Sequence, residues 1–357
     1  MTFPAEGRRR AVVVGTGLVG GSVGMALRRR GWHVTGRDRD PRRADRALER
    51  GALDAVGDDP DAELTFVATP VGAVAAEAAT ALKGGGVVTD VGSVKASIVQ
   101  AVDHPRFVGG HPMAGSEQEG LDGADADLFS GAVWALTPVE GTAPGAHSLV
   151  RSVVTSLGAE VLELTPDHHD VLVAVVSHVP HLAAATLMGL AAGRAQEHRA
   201  LLRLAAGGFR DMTRVAAGHP GIWPDICVEN RQAIVELLAQ LEEALSAMRE
   251  LVAAGDRSGL LAALEHARAA RTNLPVRAAG DARLVEVRVP VPDRPGVLAE
   301  ITTLATELGV NIADLEIAHS TEGDAGVLIL VVEAEPAERL CSALAGRRYH
   351  PASRSLP

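Results

Sequence analysis

Ala11-Val12-Val13-Val14-Gly15-Thr16-Gly17-Leu18-Val19-Gly20 is the stretch whose reading decides the fold. A short β-branched apolar run ends at a glycine, as a buried parallel strand does. A G-x-G-x-x-G set then leads into a helix-like stretch, Leu18 to Arg30, with Gly31 as its stop. Gly15 permits the tight turn, Gly17 lets a pyrophosphate approach the backbone, and Gly20 allows close helix–strand packing. The phosphates would meet free N–H groups and the positive end of the helix dipole, beside Leu18 and Val19. Asp38 follows the second strand, His33 to Arg37, about 20 residues past the glycines, at the distance expected for a carboxylate on the ribose hydroxyls. This favours NAD, while Arg37 and Arg39 keep NADP open. Thr69 and Pro70, just past a strand at Leu64–Ala68, complete the expected cofactor-binding set.

Outward from this start the alternation continues, with strands at Val87–Asp90, Phe107–Gly109 and Val133–Thr137 and helical stretches between several of them. Strands alternating with helices predict a Rossmann-type, doubly wound parallel sheet over residues 1–165, closed by a helix at Pro144–Leu157 and a strand at Glu160–Leu164. Residues 166–275 read as almost wholly helical, with one long amphipathic helix at Asp225–Ala253, and a wide apolar face of this kind predicts a homodimer. Residues 276–282 read as a linker. In 283–357 the period changes to a strand at 284–289, a helix at Val297–Leu308, strands around Val310–Ile317 and Val327–Glu333, a helix after Pro336 and a closing strand near Arg347–His350. That order predicts a ferredoxin-like α+β module.

Composition narrows the function classes. The 357 residues carry 34 Lys+Arg against 45 Asp+Glu, a net charge of −11 that argues against nucleic-acid and anionic-membrane binding. Cys227 and Cys341 stand alone, which leaves no disulfide framework and no cysteine metal cage. The apolar stretch Val171–Gly193 carries Ser177, His178 and His181 near its middle, which is costly in a bilayer. With no signal peptide read at the N-terminus, a cytoplasmic protein is expected.

Three further segments hold chemistry-bearing side chains. Asp90-Val91-Gly92-Ser93-Val94-Lys95 follows the fourth strand, and Gly109-Gly110-His111-Pro112-Met113-Ala114-Gly115 follows the fifth, both at the carboxyl edge of the sheet where ligands bind. Ser177-His178-Val179-Pro180-His181 opens or kinks a helix. Each has a structural alternative: Ser93 as a helix N-cap, His111 as a turn residue before proline, His178 and His181 as two ligands of a metal. No nearby Cys or Glu completes a metal set, so no metal is expected. The glycines around His111 point to close backbone approach to a ligand.

Taken together, the segments resemble the prephenate/arogenate dehydrogenase family of tyrosine biosynthesis, and the resemblance extends to Gly207-Gly208-Phe209-Arg210-Asp211-Met212-Thr213-Arg214 and to Trp223 followed by Glu229-Asn230. The tail, Val291–Leu298 with Val310-Asn311-Ile312, resembles an ACT domain, a regulatory amino-acid-binding module. The resemblance implies NAD-dependent oxidative decarboxylation of prephenate to 4-hydroxyphenylpyruvate. His111 would then be the base at the ring 4-hydroxyl, with Ser93 between that hydroxyl and the nicotinamide. Arg214 would pair with a substrate carboxylate, His181 with Ser177 would line the substrate entrance, and Trp223 would wall the pocket. In the tail, Asp293, Gly296 and Asn311 would bind an effector, with tyrosine as the expected ligand. One departure is Gly218-His219-Pro220, where members of the family often carry a small hydroxyl or acidic residue; His219 or water would have to replace that contact.

The rival substrates are arogenate and a 4-amino-4-deoxyprephenate. A β-hydroxyacid dehydrogenase would want a lysine in the helical region, and residues 167–273 contain none. The non-enzyme rival is an ACT-domain sensor on a retained Rossmann shell; His111 and Arg214 argue against it.

Overall fold

The computed structural model describes residues 8–116, 118, 120–197, 201–272, 284–292, 294–319 and 325–355. The linker at 276–282 and Asp293 lie outside them. The chain forms two compact units, one ending at Ala247 and the other starting at Met248.

The first unit is built on a sheet of β1 (Arg10–Val14), β2 (His33–Arg37), β3 (Ala55–Val56), β4 (Leu64–Val67), β5 (Val87–Asp90), β6 (Phe107–Pro112), β7 (Val133–Thr137) and β8 (Glu160–Glu163). Its spatial order is β3-β2-β1-β4-β5-β6-β7-β8. Helices α1 (Leu18–Arg29), α2 (Pro41–Glu49), α3 (Val71–Ala81), α4 (Ala96–Val102) and α5 (Pro144–Ser156) connect it. The chain reverses its direction of travel across the sheet between β1 and β4, and both run parallel. Local chemistry sets these elements. Asp40 caps α2 by accepting the N–H of Arg42, and Pro41 supplies a first helical residue whose missing N–H costs nothing there. Helix α1 buries Val23, Ala26 and Leu27 in a core that includes Phe66, Phe129 and Trp134. Full burial of such a side chain contributes roughly 1.5–3 kcal/mol. The Trp134 ring stands edge-on to Phe66 at 6.3 Å, so this tryptophan belongs to the core.

The sheet departs from the all-parallel expectation at one step. Strand β7 runs antiparallel to β6, pairing Gly109 with Thr137 and His111 with Ala135. A parallel return needs a crossover, normally a helix, across one face. Between β6 and β7 the described residues hold only the 3-10 turn Gly120–Gly123. Helix α5 then restores a crossover, and β8 is parallel to β7. The short β3 has no counterpart in the sequence pattern, since two residues leave no periodicity to read.

Helices α6 (Pro166–Val173), α7 (Val179–Glu197), α8 (Gly207–Thr213), α9 (Trp223–Glu229), α10 (Arg231–Ala254) and α11 (Arg257–Thr272) follow. A π turn, Ala174–His178, joins α6 to α7, with the Val179 N–H reaching back five residues to Ala174 O. This is the kink read at Ser177–His181. The single helix expected at Asp225–Ala253 is two, because the backbone of Asn230 leaves helical geometry (φ −105°, ψ 31°) while its side chain bonds elsewhere. The stretch Pro166–Arg194 is long and apolar enough to cross a membrane by length and composition alone, and 28% of its most apolar window is buried within the chain.

The second unit carries β9 (Leu284–Pro292), α12 (Val297–Glu307), β10 (Ile312–His319), β11 (Ala325–Glu333), α13 (Ala334–Gly346) and β12 (Ala352–Ser355). Its antiparallel sheet has the order β10-β11-β9-β12. Val287, Val289, Ile301, Leu328, Leu330, Leu340 and Leu344 fill its core. The closing strand lies after 347–350 rather than on them. Arg348 takes a left-handed conformation (φ 68°), which turns the chain, and Tyr349 buries its ring while donating its hydroxyl to Glu300 at 3.0 Å.

Candidate active site

The fingerprint glycines sit where the sheet's direction of travel reverses. Gly15 has φ +93°, and a Cβ there would lie 2.5 Å from Ala68 O; a Cβ on Gly20 would lie 1.9 Å from Gly15 O. These two glycines make the turn and the packing possible. Gly17 is different: nothing lies within 4 Å of a Cβ built on it. It caps α1 with no side-chain hydrogen bond, so the helix's first N–H groups, at Leu18 and Val19, face outward for an anion. Thr69, across the crevice, has a buried hydroxyl without a hydrogen-bond partner among the described residues, and Pro70 starts α3. Asp38 accepts the Thr16 N–H at 2.9 Å and the Asp40 N–H at 3.0 Å. An open glycine, free helix amides and an orphaned hydroxyl fit a dinucleotide.

At the same edge, the turn after β5 is tied to β6 by a buried ion pair. Lys95 and Asp90 are both wholly buried; the Lys95 ammonium bonds the Asp90 carboxylate and the carbonyl of Gly110 at 2.9 Å. Asp90 also accepts the N–H groups of Gly92 and Gly110, at 2.9 and 3.1 Å. Gly110 is thus held at both its N–H and its carbonyl, which fixes the backbone immediately before His111. Burial pushes the Lys95 ammonium below the usual lysine value, and the charge of Asp90 opposes that. The glycines before His111 serve this packing and not a ligand. A Cβ on Gly110 would lie 2.7 Å from Asp90 O, and one on Gly109 would lie 2.4 Å from Thr137 Oγ1. Ser93 is half-buried in the same turn and is not the cap of α4: Lys95 is the cap residue, and the N–H groups of Lys95 and Ala96 both donate to Asp170, at 2.8 Å.

His111 closes this arrangement. Its Nδ1 lies 2.9 Å from Nε2 of His169, whose Nδ1 lies 2.8 Å from Oδ1 of Asp170. Burial pushes His111 well below the ordinary imidazole value, and His169, Lys95 and His178 add to the shift. Asn230 donates its amide to Asp170 O at 2.8 Å and meets Nδ1 of His178 at 3.1 Å. His178 is pushed down to about 4, first by burial, with Asp170 opposing. A base held neutral at the carboxyl edge is suited to taking a proton from a hydroxyl.

The helical side brings a second group together. The rings of His181 and Trp223 stack at 3.6 Å, and His178 stands edge-on to Trp223 at 6.2 Å. Arg214 opens a 3-10 turn, Arg214–Ala217, that packs on α7, the helix bearing His181. Gly218 follows, and a Cβ on it would lie 3.8 Å from the His181 ring. His219 is spent locally, its Nδ1 accepting the Gly221 N–H at 3.0 Å as the cap of the turn Pro220–Ile222. Ser177 lies on the exposed side of the π turn. Among the described residues no group of three His, Cys, Asp or Glu side chains is arranged for a metal ion. In the second unit, Gly296 caps α12 in a left-handed conformation (φ +91°), and Asn311 is exposed just before β10.

His169, Asp170 and Asn230, like Asp90 and Lys95, have no assigned role in the sequence reading. The available signal was the pair of adjacent titratable side chains in the first turns of α6.

Comparison with known proteins agrees with this architecture. Two family models match: "Prephenate dehydrogenase, nucleotide-binding domain" over residues 23–163 and "Prephenate dehydrogenase, dimerization domain" over 165–266; an ACT domain model matches 285–344. The prephenate dehydrogenase of Bacillus subtilis is 31% identical over 91% of this chain and 92% of its own. The crystal structure of an Aquifex aeolicus prephenate dehydrogenase, in complex with hydroxyphenyl propionate and NAD+, is 28% identical with a TM-score of 0.71, covering 76% of this chain and all of that one. A Synechocystis arogenate dehydrogenase structure is 32% identical with a TM-score of 0.64 over 73% of this chain and 98% of its own. A Rossmann-type sheet with an open dinucleotide fingerprint, a buried imidazole at its carboxyl edge, a helical region and an ACT module, together with these matches, identify the chain as a member of the prephenate dehydrogenase family.

Proposed function

We propose that this enzyme oxidises and decarboxylates prephenate to 4-hydroxyphenylpyruvate with NAD+ as hydride acceptor. The observation that carries the reading is His111: a neutral imidazole with Nδ1 anchored, beside a backbone held from both sides by Asp90 and Lys95. Bound at the crevice between β1 and β4, the nicotinamide supplies the acceptor for the hydride. His111 takes the proton of the ring 4-hydroxyl as C4 loses its hydride and becomes a carbonyl carbon. The bond from the ring to its carboxylate then breaks, releasing CO2, and its electron pair aromatises the ring. The resulting phenolate takes the proton back from His111. Ser93 orients the 4-hydroxyl, Arg214 holds a substrate carboxylate with its planar fork, and Ser177, His181 and Trp223 border the entry.

NAD+ is favoured over NADP+ by the engagement of Arg37. Its guanidinium bonds Asp58 at 2.8 Å and Glu77 at 2.6 Å, so it is not available for a 2′-phosphate, and the Asp38 carboxylate would repel one. A second reading, arogenate as substrate, is supported by the likeness to the Synechocystis enzyme. Steady-state assays with prephenate and arogenate, each with NAD+ and NADP+, test both. The expected result is the highest kcat/KM for prephenate with NAD+; preference for arogenate or for NADP+ overturns that part of the assignment. The helical region acts as a homodimer interface, in keeping with the matched dimerization domain. The ACT module binds tyrosine through Asp293, Gly296 and Asn311; non-competitive inhibition by tyrosine that vanishes when the chain is cut near Ala279 is the expected sign.

A further inference from the structure

We infer that His169 and Asp170 are positioning residues for His111: they hold it as the Nδ1-protonated tautomer, which leaves Nε2 as the bare atom that accepts the substrate's proton. The inference deepens the proposed function and rests on His111 being the base.

Asp170 is buried and accepts the backbone N–H groups of Lys95 and Ala96, each at 2.8 Å, so both its oxygens already receive hydrogen bonds. A carboxylate held this way is an acceptor toward every neighbour. Nδ1 of His169, 2.8 Å from Oδ1, is therefore the donor. In a neutral imidazole the other nitrogen is then the acceptor, so Nε2 of His169 receives a proton and does not give one. The group 2.9 Å from it is Nδ1 of His111, which must carry the hydrogen. The free histidine side chain prefers the opposite tautomer, with hydrogen on Nε2 and no lone pair there. The pair thus selects the form that chemistry needs.

The same chain acts when the base is charged. An imidazolium at His111 strengthens its hydrogen bond to His169, and the donation from His169 to Asp170 strengthens with it, so a carboxylate two groups away stabilises the new charge. The Lys95 ammonium, in the turn before α4, opposes that charge, as a protonated His169 or His178 would; a neutral His169 passing its hydrogen bond on to Asp170 does not. Asp170 is the counterweight, and its hydrogen bonds to the amides that open α4 tie base, turn and sheet edge together.

The test uses the full-length enzyme with 15N-labelled imidazoles, the His111 signals being assigned by their loss in His111→Asn. The expected wild-type spectrum shows hydrogen on Nδ1 of His111 and none on Nε2. His169→Phe should lose that preference and lower kcat on the order of 10²-fold, as loss of a base's orienting group does, with prephenate KM and NAD+ affinity changed by less than about twofold. His169→Gln, whose amide oxygen can replace the ring acceptor, should restore most of the turnover. A wild-type His111 carrying hydrogen on Nε2 overturns the inference, as does a His169→Phe enzyme with unchanged kcat. If His169→Phe does not fold, the wild-type tautomer decides alone. Full activity in His111→Asn would instead remove the base assignment itself; an inactive His111→Asn beside a fully active His169→Phe would remove only the positioning role.

Discussion

On the sheet side of the site, Lys95 and Asp90 are 0% exposed and bonded to each other and to the backbone around His111. On the helical side, Val176 is 71% exposed and Leu204 81%, with Met212, Val228 and Val235 also turned outward. One half is completed inside a single chain, where buried charges are tolerated because each has its partner. The other presents apolar side chains that the single chain leaves uncovered, within the region matched by the dimerization-domain model. The closed, fully paired part of the site and its open apolar part are therefore built from different layers of the protein.

The contrast can be broken most sharply at the base. His111→Asn should lower turnover by about 10²–10⁴-fold while leaving nucleotide affinity, read by fluorescence titration, unchanged. A loss confined to KM would move the chemistry away from the sheet side. Next in size is Lys95→Met, which strands the Asp90 carboxylate in the core. Urea unfolding should show a loss of roughly 3–5 kcal/mol, the usual consequence of removing one partner of a buried pair. A loss below 1 kcal/mol, within the range of exposed pairs, would mean that the sheet side is less closed than its burial indicates. The helical side should respond in assembly and not in folding. Val176→Glu should weaken self-association, measured by sedimentation, by roughly tenfold or more while the chain still folds. The smallest effect is in pH. The folded-state value of about 4 for His178 lies below the ordinary 6.5, so its neutral ring contributes stability that is complete above pH 6.5 and is lost as pH falls toward 4. Wild type should lose melting temperature across that window more steeply than His178→Gln; parallel curves would show that His178 is not the group responsible.

The same division governs what the sequence alone reveals. Gly15–Gly20, Asp90–Lys95 and Gly109–Gly115 are legible because each is a strand end and the turn after it, and the turn's chemistry is written in consecutive residues. The direction of β7 is not, since it depends on a missing crossover rather than on the strand's own residues. The glycines before His111 carry an ambiguous signal: close approach is real, but what approaches is Asp90 and Thr137. The adjacent pair His169-Asp170 is visible in the sequence but its role is not, because its partners lie 58 and 75 residues away and a polar pair near a helix start looks like ordinary surface until the fold buries it. Asn230 breaks an otherwise helical pattern for the sake of one buried amide. Roles that depend on contacts between distant segments are the ones that sequence pattern leaves unassigned.

The π turn at Ala174–His178 has a consequence for the adaptation of this fold to heat. Pro180, two residues past it, lacks the N–H that a regular helix would return to Val176, and the widened turn absorbs that interruption between His178 and His181. Straightening it would be the simplest way to strengthen the segment, and would turn every side chain beyond it, His181 included, about 100° around the helix axis. A regular helix here and the stacking of His181 on Trp223 therefore exclude each other, and added stability has to come from other parts of the molecule.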